Sequence, residues 1–404
     1  MNLLFYCSEY PPYLTGGIGT ATKIVAEDLV RRGHNVAVIG YYPDIAENYV
    51  DEFINGVRVL RYNLGCRNTK LKGLMFSILK KLRLADFIIK RELAFIENKI
   101  ESYIYDNIID VFEITDYYPF VLCDSELTFK RFSVPTVLRI HGSASFIQDM
   151  SGKSRSIYKR NDEAHFQRCD YVSSVSKYSL DYIKNNFELN DIIRWDIIYN
   201  PIEDSFFKWN QSSVDNDTIL FVGKLTETKG CYSLIRAFNK CAEKHSDLQL
   251  RLAGKGDIEK AKSFVDPRFI DRVHFLGYCN RERIKAEIDE CLFACIPSYF
   301  ENFSMVPLEI MGRGKTLIYT ERTSGREIIQ DGINGYLVDP DDIETISKRI
   351  LTLAVDRELR HKMETQAYSY VCENFSAAKI VELQEIYYSA LMSYSSDEKT
   401  TDNK

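Results

Sequence analysis

The stretch 291–311, CLFACIPSYFENFSMVPLEIM, decides how the second half of this chain is organised. Residues 291–296 form an apolar run of strand length, and 308–311 reads as the start of a helix. Glu301 and Glu309 therefore flank a loop at the carboxyl end of a strand, where open α/β sheets bind their ligands. One carboxylate can accept hydrogen bonds from both hydroxyls of a ribose, and the N–H groups at a helix start suit a phosphate. The stretch predicts an α/β sheet with a nucleotide site at this edge.

The alternative for this pair is that both glutamates are ordinary surface residues. Glutamate is mostly exposed in folded proteins, so an isolated pair on a loop and a helix carries little weight. The interpretation depends on whether the rest of the chain supplies the other parts of a nucleotide site.

Composition narrows the class of protein. With 404 residues, 45% hydrophobic and 27% charged, the chain resembles a soluble globular protein of roughly two to three domains. Its net charge of −6 gives no case for nucleic-acid binding. The ten cysteines form no paired framework, and the chain start has no secretory segment, which together predict reduced thiols in the cytoplasm. No apolar run reaches the ~18 residues of a membrane span.

The first half opens with a strand, a glycine-containing loop and a helix. An apolar run at 2–7 precedes Gly16-Gly17-Ile18-Gly19, helical spacing follows over 20–32, and 35–39 reads as the next strand. Glycine allows a backbone to approach a phosphate or sugar closely. The spacing differs from the dinucleotide fingerprint and no acidic residue ends the second strand, so a nicotinamide cofactor is not expected. An ordinary tight turn is the alternative for these glycines.

The segment 67–92 differs in charge from the rest of the chain. It carries eight Lys or Arg against two acidic residues, and Leu74, Ile78, Leu82, Phe87 and Ile88 can gather on one helical face. A basic amphipathic helix can lie on an anionic membrane surface. It can equally be a surface helix that packs its apolar face on the sheet, and the sequence leaves both open.

Strands and helices then alternate, with polar or small residues predicted at the strand ends. Strands are expected at 108–112 before Glu113, at 136–140 before His141-Gly142, at 171–175 and at 194–199. A lone histidine is more often structural than catalytic. His141, directly after a buried strand and next to a glycine, is nevertheless placed to reach into a cleft.

A linker over 200–216 separates this half from a second α/β alternation that begins at 218–222. Lys224 and Lys229 lie on the loop that follows this strand, where two lysines can neutralise a diphosphate. Solvated surface lysines are the alternative. Asp215-Asn216-Asp217 has a metal-binding form, but its place in the linker favours a turn.

Taken together, these pieces resemble the retaining glycosyltransferases of family 4, which share the GT-B architecture of two facing Rossmann-like domains. The resemblance covers residues 1 to about 390 in family order. Its motifs are Gly16-Gly17-x-Gly19, Arg32-Gly33-His34-x-Val36, His141-Gly142, Val175-Ser176, Asn200-Pro201-Ile202, Gly223-Lys224, Lys229-Gly230, Gly254-x-Gly256, Phe275-Leu276-Gly277, the Glu301 and Glu309 pair, and Glu327 to Gly335.

The resemblance implies roles for individual residues. Glu309 would hold the donor ribose, Glu301 would face the hydroxyls of the donor sugar, and Lys229 with Lys224 would clamp the diphosphate. His141 would lie near the reacting centre. The other donor-binding residues that it implies are Gly16, Gly17, Phe303, Ser304, Met305 and Val306. Lys224 replaces the usual arginine, Asn302 a common glycine and Lys315 a common proline, changes that bear on loop shape and sugar choice.

The resemblance also implies an architecture and a reaction. An acceptor-binding domain at 1–205 would be completed by a C-terminal helix at about 376–395, a donor-binding domain would span 206–375, and 396–404 would be a disordered tail. The final helix should gather Ile380, Leu383, Ile386, Tyr387 and Leu391 on one side. The active site would lie in the cleft between the domains.

The implied enzyme transfers a sugar from a nucleotide-diphosphate sugar to a glycan, lipid-linked or other hydroxyl acceptor, in cell-surface polysaccharide or glycoconjugate synthesis. It retains the anomeric configuration, needs no metal or other cofactor, and binds no nucleic acid. It works in the cytoplasm, either free or held on the inner membrane face through 67–92. A sugar phosphorylase, a sugar-nucleotide epimerase and a non-catalytic sugar-nucleotide binding protein are the alternatives.

Overall fold

The computed structural model describes residues 1–13, 16–42, 45–63, 78, 85–116, 128–150, 152, 156–189, 194–209 and 217–401. The chain divides into two compact units. Unit 1 comprises Met1–Pro201 together with Ala377–Lys404, and unit 2 comprises Ile202–Ser376. Each unit is an α/β fold built on one sheet.

Unit 1 contains an eight-stranded sheet in the order β3-β4-β2-β1-β5-β6-β7-β8. All neighbouring strands pair in parallel except β3 and β4, which form an antiparallel hairpin at the edge. The strands are β1 Asn2–Tyr6, β2 Asn35–Tyr41, β3 Tyr49–Ile54, β4 Val57–Tyr62, β5 Val111–Thr115, β6 Thr136–Ile140, β7 Tyr171–Ser174 and β8 Arg194–Ile197. The helices of its first part are α1 Gly17–Arg31, α2 Ala85–Asn107, α3 Ala144–Met150, α4 Ser156–Phe166 and α5 Lys177–Asn186.

The sheet of unit 1 is covered on both faces, as a mostly parallel sheet requires. Successive residues of β1 point to opposite faces, so Leu4 and Tyr6 enter one apolar cluster while Leu3 and Phe5 enter the other. Helix α2 covers the first face and α1 the second. Both faces are therefore buried, and the chain's chemistry is confined to the loops at the strand ends.

Unit 2 contains a fully parallel six-stranded sheet in the order β11-β10-β9-β12-β13-β14. The strands are β9 Thr218–Val222, β10 Gln249–Ala253, β11 Val273–Gly277, β12 Phe293–Ile296, β13 Leu317–Thr320 and β14 Tyr336–Val338. The helices are α6 Cys231–Ala242, α7 Ile258–Lys262, α8 Arg281–Glu290, α9 Met305–Gly312, α10 Gly325–Ile328, α11 Ile343–Val355 and α12 Arg357–Phe375. The winding reverses direction between β9 and β12, and such a switch point is where doubly wound sheets bind ligands.

The last helix, α13 Ala377–Thr401, belongs to unit 1, where it packs beside α1. Its buried face differs from the predicted one. Ile380, Tyr387 and Leu391 are buried as expected, but Leu383 is 38% and Ile386 58% exposed. Gln384 and Tyr388 take their places, because both donate to the buried carboxylate of Glu113 on β5, over 3.2 and 2.6 Å.

Several predicted elements need correction. The hairpin strand β3 was not predicted from the sequence. The strand predicted at 108–112 lies at Val111–Thr115, since Ile108 has a left-handed φ of 48° after the end of α2. Glu113 is consequently a mid-strand residue, and Asp116 is the first residue beyond the strand. Helix α13 extends to Thr401, and the disorder expected for 396–404 stays a prediction.

Candidate active site

Two loops of unit 2 meet at the switch point between β9 and β12. The first runs from Gly223 to Gly230, and the second follows β12 and leads to α9. Gly230 has φ 72°, and a Cβ there would lie 1.8 Å from the carbonyl oxygen of Pro297. The N–H of Tyr299 donates to the carbonyl of Thr228 over 2.9 Å. Only a glycine permits this close approach, which fixes the two loops against each other.

The contact between the loops brings two of the predicted residues together. Lys229 Nζ donates to Glu301 Oε1 over 2.7 Å, and Ser298 Oγ donates to the same oxygen over 3.1 Å. Glu301 is buried and Lys229 is half-buried. Lys224 lies exposed on the same loop as Lys229. An ammonium group and a hydroxyl-binding carboxylate thus share one position at the carboxyl edge of the sheet.

Glu309 lies apart from this pair, on α9. Its carboxylate is buried and lies 3.5 Å from Arg281 Nη2, which also contacts Glu203 Oε2 at 2.8 Å. Burial raises the pKa of Glu309; the Arg281 guanidinium opposes this rise and the negative charge of Glu203 adds to it. A buried carboxylate with one long ionic contact still has acceptor capacity for hydroxyl groups.

Helix α9 begins at Met305, earlier than the predicted start at 308. Its N-cap residue Ser304 makes no side-chain capping bond within the described chain. The N–H groups of the first turn, at Met305 and Val306, therefore suit an anionic ligand. Phe303, which was also assigned to donor binding, is 7% exposed, and its ring centroid lies 5.9 Å from that of Phe375.

In unit 1, His141 directly follows β6 on a turn held by a buried carboxylate. Asp116 Oδ1 accepts from the N–H of His141 over 2.8 Å, and its Oδ2 accepts from Gly142 over 2.9 Å. Gly142 has φ 123°, a backbone conformation that residues other than glycine rarely adopt. Burial raises the pKa of Asp116 to about 7, against the two N–H bonds, and nearby Asp162 raises it further.

The His141 ring is neutral at physiological pH. Burial lowers its pKa to about 3, and the positive charge of Arg139 acts in the same direction. A neutral imidazole offers one donor and one acceptor nitrogen. It can therefore bind a sugar hydroxyl, whereas the low pKa makes it a poor proton acceptor.

Glu9 packs against two of the glycines in the segment 16–19. A Cβ on Gly19 would lie 2.0 Å from the carbonyl oxygen of Glu9, and one on Gly16 would lie 3.2 Å from its carboxylate. Gly17 faces open space. Gly16 and Gly19 thus accommodate the first loop of the chain, and Gly17 is the glycine with room for a ligand.

Sequence reasoning missed several of the residues around this chemistry. Ser298 and Arg281 touch the two predicted glutamates, and Asp116 fixes the turn of His141. Asp116 could have been found if β5 had been placed correctly, because it is then the polar residue at the strand end. Arg281 lies on a different helix from Glu309 and carries no such signal.

Some predictions fall on residues that the structure does not describe. Residues 67–77 and 79–84 of the basic segment lie outside the described ranges, as do Asp215 and Asn216. Within those ranges, no group of three or more His, Cys, Asp or Glu is arranged to hold a metal ion. No helix in the described part of the chain combines the length and hydropathy of a membrane span.

Two family models match the chain side by side. The model described as Glycosyltransferase Family 4 matches residues 15–206, and the model described as Glycosyl transferases group 1 matches residues 203–370. The matches confirm the resemblance drawn from the motifs.

Individual relatives agree with this result. An uncharacterized glycosyltransferase of Methanocaldococcus jannaschii is 27% identical over 404 residues, covering 93% of this chain and 95% of the relative. Sucrose-phosphate synthase from Thermosynechococcus elongatus superposes with a TM-score of 0.76 at 16% identity, covering 97% of this chain and 99% of the other. Anabaena HepE in complex with UDP gives 0.68 at 17%, covering 96% and 100%. The similarity to these solved structures confirms the GT-B fold.

Proposed function

The chain belongs to the family 4 glycosyltransferases, and from this premise we propose that it transfers a sugar from a nucleoside diphosphate sugar to a hydroxyl acceptor with retention of configuration. The observation that carries the proposal is the 2.7 Å contact between Lys229 and Glu301 at the switch point of unit 2. It joins a group that neutralises phosphate to a group that binds hydroxyls, and a nucleotide sugar presents both chemistries.

Each part of the donor has a candidate partner in unit 2. Glu309 accepts from the ribose hydroxyls, and Glu301 accepts from a hydroxyl of the sugar being transferred. Lys229, Lys224 and the first N–H groups of α9 face the diphosphate. Because the similar protein HepE has been solved with UDP and with UDP-glucose, UDP-sugars are the first donors to test.

The proposed reaction is a front-face displacement. The bond between the anomeric carbon and the phosphate oxygen breaks while the acceptor oxygen attacks the same face, and the acceptor proton passes to the leaving phosphate. Lys229 and the α9 amides stabilise the charge that develops on the diphosphate. Neutral His141 binds a sugar hydroxyl near the reacting carbon. This scheme uses neither a protein nucleophile nor a metal.

The first experiment measures nucleotide binding. Titration calorimetry against UDP, GDP, ADP and CMP identifies the base. Glu309→Ala should then weaken binding by roughly 1–3 kcal/mol, because the ribose hydroxyls lose their acceptor. Glu358→Ala, an exposed glutamate at the start of α12, serves as the control. Equal affinity in wild type and Glu309→Ala would contradict the assigned role.

The second experiment measures the reaction. Wild type is incubated with the matching nucleotide sugar and a panel of glycan and lipid-linked acceptors, and the anomeric configuration of the product is read by NMR. Retention supports the front-face scheme, and inversion would contradict it. Loss of donor without a transferred sugar across the panel would favour an epimerase or hydrolase instead.

We further propose that the acceptor is lipid-linked and that unit 1 contacts an anionic membrane. The described residues that support this lie on the outer face of α2. Phe87 is 74% exposed and Phe95 42% exposed, beside exposed Lys90, Arg91 and Lys99. Aromatic and basic side chains together suit a membrane interface. The buried face of α2 is instead formed by Ile89, Leu93, Ile96, Ile100 and Ile104.

Vesicle co-sedimentation at low salt tests the membrane proposal. Two triple variants are compared with wild type. One replaces Lys90, Arg91 and Lys99 by Glu, and the other replaces Lys80, Lys81 and Arg83 of the segment 67–92 by Glu. Each variant should be released from anionic vesicles, since each basic residue contributes about 1 kcal/mol to membrane binding. The matched control replaces the exposed Lys244, Lys348 and Lys362 of unit 2 by Glu. If wild type does not bind anionic vesicles at low salt, the membrane proposal is wrong.

A further inference from the structure

Thr323, three residues beyond the end of β13, has a left-handed backbone conformation with φ 57°. In the described ranges the other non-glycine residues with positive φ are Asn55 and Ile108, both in unit 1. For a β-branched residue this conformation is a genuine outlier, and such strain persists only where the surroundings impose it. A glycine would adopt the same turn without cost.

The strained conformation places the Thr323 hydroxyl against Glu301. The N–H of Glu301 donates to Thr323 Oγ1 over 3.3 Å. The carboxylate of the same residue accepts hydrogen bonds from Lys229 and Ser298. Glu301 is thereby fixed through its backbone by the loop after β13 and through its side chain by the loops after β9 and β12.

The residue before Thr323 reinforces this arrangement. Arg322 lies over the ring of Tyr299, with 5.1 Å from its Cζ to the centroid, and its Nη2 binds Asp341 Oδ2 over 2.6 Å. Tyr299 OH donates to the other oxygen of Asp341, also over 2.6 Å. The pair 322–323 therefore holds the segment 299–301 at two points.

We propose that Thr323 is a positioning residue that orients Glu301 toward the donor sugar, and that its hydroxyl sets the transfer rate and the choice of sugar. This inference rests on the proposed function, which assigns Glu301 to the sugar. The hydroxyl explains why a strained threonine stands where a glycine would serve the turn. Binding of the nucleoside diphosphate, which lacks the sugar, should not depend on Thr323.

Three variants separate the hydroxyl from the turn. Thr323→Gly relieves the strain and removes the hydroxyl, Thr323→Val keeps the shape and removes the hydroxyl, and Thr323→Ser keeps the hydroxyl. The probes are UDP and the sugar nucleotide that wild type turns over, with UDP-glucose and UDP-galactose as the first pair. Melting temperature, UDP affinity, kcat and KM are measured for each variant.

The Gly and Val variants should lose about tenfold or more in kcat/KM and show a changed ratio between the two sugars, while Ser should stay within about threefold of wild type. UDP affinity should be unchanged in all three. The Gly variant should also melt at a higher temperature than wild type, so its loss of activity cannot come from unfolding.

Wild-type activity and sugar ratio in Thr323→Gly would overturn the inference while leaving the proposed function intact. A change of UDP affinity equal to the change in kcat/KM would likewise assign Thr323 to nucleotide binding. Failure of wild type to bind any nucleotide would instead reject the proposed function. Because Ser and Gly differ in the hydroxyl and both are small, the comparison remains decisive if the Val variant does not fold.

Discussion

At the scale of single residues, Lys229 has two anionic partners in turn, the carboxylate of Glu301 and, in the proposed reaction, the diphosphate. Before a donor binds, its ammonium group is paired with Glu301, and the lysine and glutamate side chains are 32% and 10% exposed. In the proposed reaction the diphosphate gains negative charge, and the same ammonium group stabilises that charge. The pair therefore keeps Glu301 in place and keeps a cation ready at the leaving group.

Lys229→Met should lower kcat about a hundredfold and change the donor KM much less, because the charge of the diphosphate is greatest in the transition state. Steady-state kinetics with saturating acceptor measure both constants. Lys224→Met, which removes the exposed lysine of the same loop, serves as the comparison. A higher KM with an unchanged kcat would mean that Lys229 binds substrate and transition state equally.

The raised pKa of Asp116 leads us to expect that the stability of the protein depends on pH. Its pKa is raised from an ordinary value of 3.8 to about 7, so the folded chain binds this proton more tightly than the unfolded chain. Its contribution to the free energy of unfolding is therefore fully present below a pH of about 4 and is lost as the pH rises through about 7. In Asp116→Asn this loss should be absent.

The measurement is urea unfolding of wild type and Asp116→Asn between about pH 5 and pH 8. The wild type should lose stability relative to the variant as the pH rises. The variant carries a constant cost at all pH values, since its amide cannot accept from both His141 and Gly142. If the difference in free energy of unfolding between wild type and Asp116→Asn does not change with pH, burial does not raise the pKa of Asp116.

At the scale of elements, the site of unit 2 is formed by three loops on neighbouring strands. The loops after β9, β12 and β13 meet because these strands are adjacent in the sheet although far apart in sequence. Gly230 lies where the first two loops approach each other, and a Cβ there would overlap the carbonyl of Pro297. The geometry of Lys229 and Glu301 therefore depends on a residue that has no side chain.

Gly230→Ala should destabilise the protein by more than the ~1–2 kcal/mol of a left-handed alanine, because the added Cβ would overlap the carbonyl of Pro297. Gly332→Ala is a matched control: its φ of 75° is nearly that of Gly230, at 72°, and a Cβ there meets nothing within 4 Å. Thermal unfolding and kcat measure the outcome. Equal effects of the two substitutions would show that the loops can separate without loss.

What the sequence could predict follows from this arrangement. Lys229, His141 and Glu301 could be located because each lies on the segment that follows an apolar run of strand length, and the alternation of strands and helices predicted an α/β fold. Thr323 and Arg281 could not be found in this way. Their importance comes from which strands and helices become neighbours and from one backbone angle, and neither is encoded in local spacing. The contact of the Phe303 ring with Phe375 could not be found from the sequence for a related reason, since it depends on packing.

At the scale of the whole molecule, unit 2 is one continuous segment and unit 1 is made of two. The chain passes from unit 1 at Pro201 and returns at Ala377. Within unit 2 these two ends lie side by side, where the N–H of Ile202 donates to the carbonyl of Phe375 over 3.0 Å. Unit 2 is therefore an insertion into unit 1, and unit 1 depends on α13 for part of its core.

The fragment 202–376 should fold alone, whereas the fragment 1–201 should not. Without α13, unit 1 loses the apolar contacts of Ile380, Tyr387 and Leu391, and the side chains that packed against them become exposed to water at a cost of about 25 cal/mol per Å². Circular dichroism melts of both fragments measure this. Tyr388→Phe in the full chain should lower the free energy of unfolding by about 1–3 kcal/mol, because Glu113 then stays buried without the hydroxyl of Tyr388. A cooperative melt of 1–201 would contradict the dependence on α13.

The insertion has a consequence for synthesis on the ribosome. Translation completes unit 2 while unit 1, although begun first, still lacks the helix that covers Glu113. Unit 1 of a nascent chain therefore stays incomplete until α13 has been translated. A premature stop codon at the start of α13 should then destabilise unit 1, which was made first, and leave unit 2 intact.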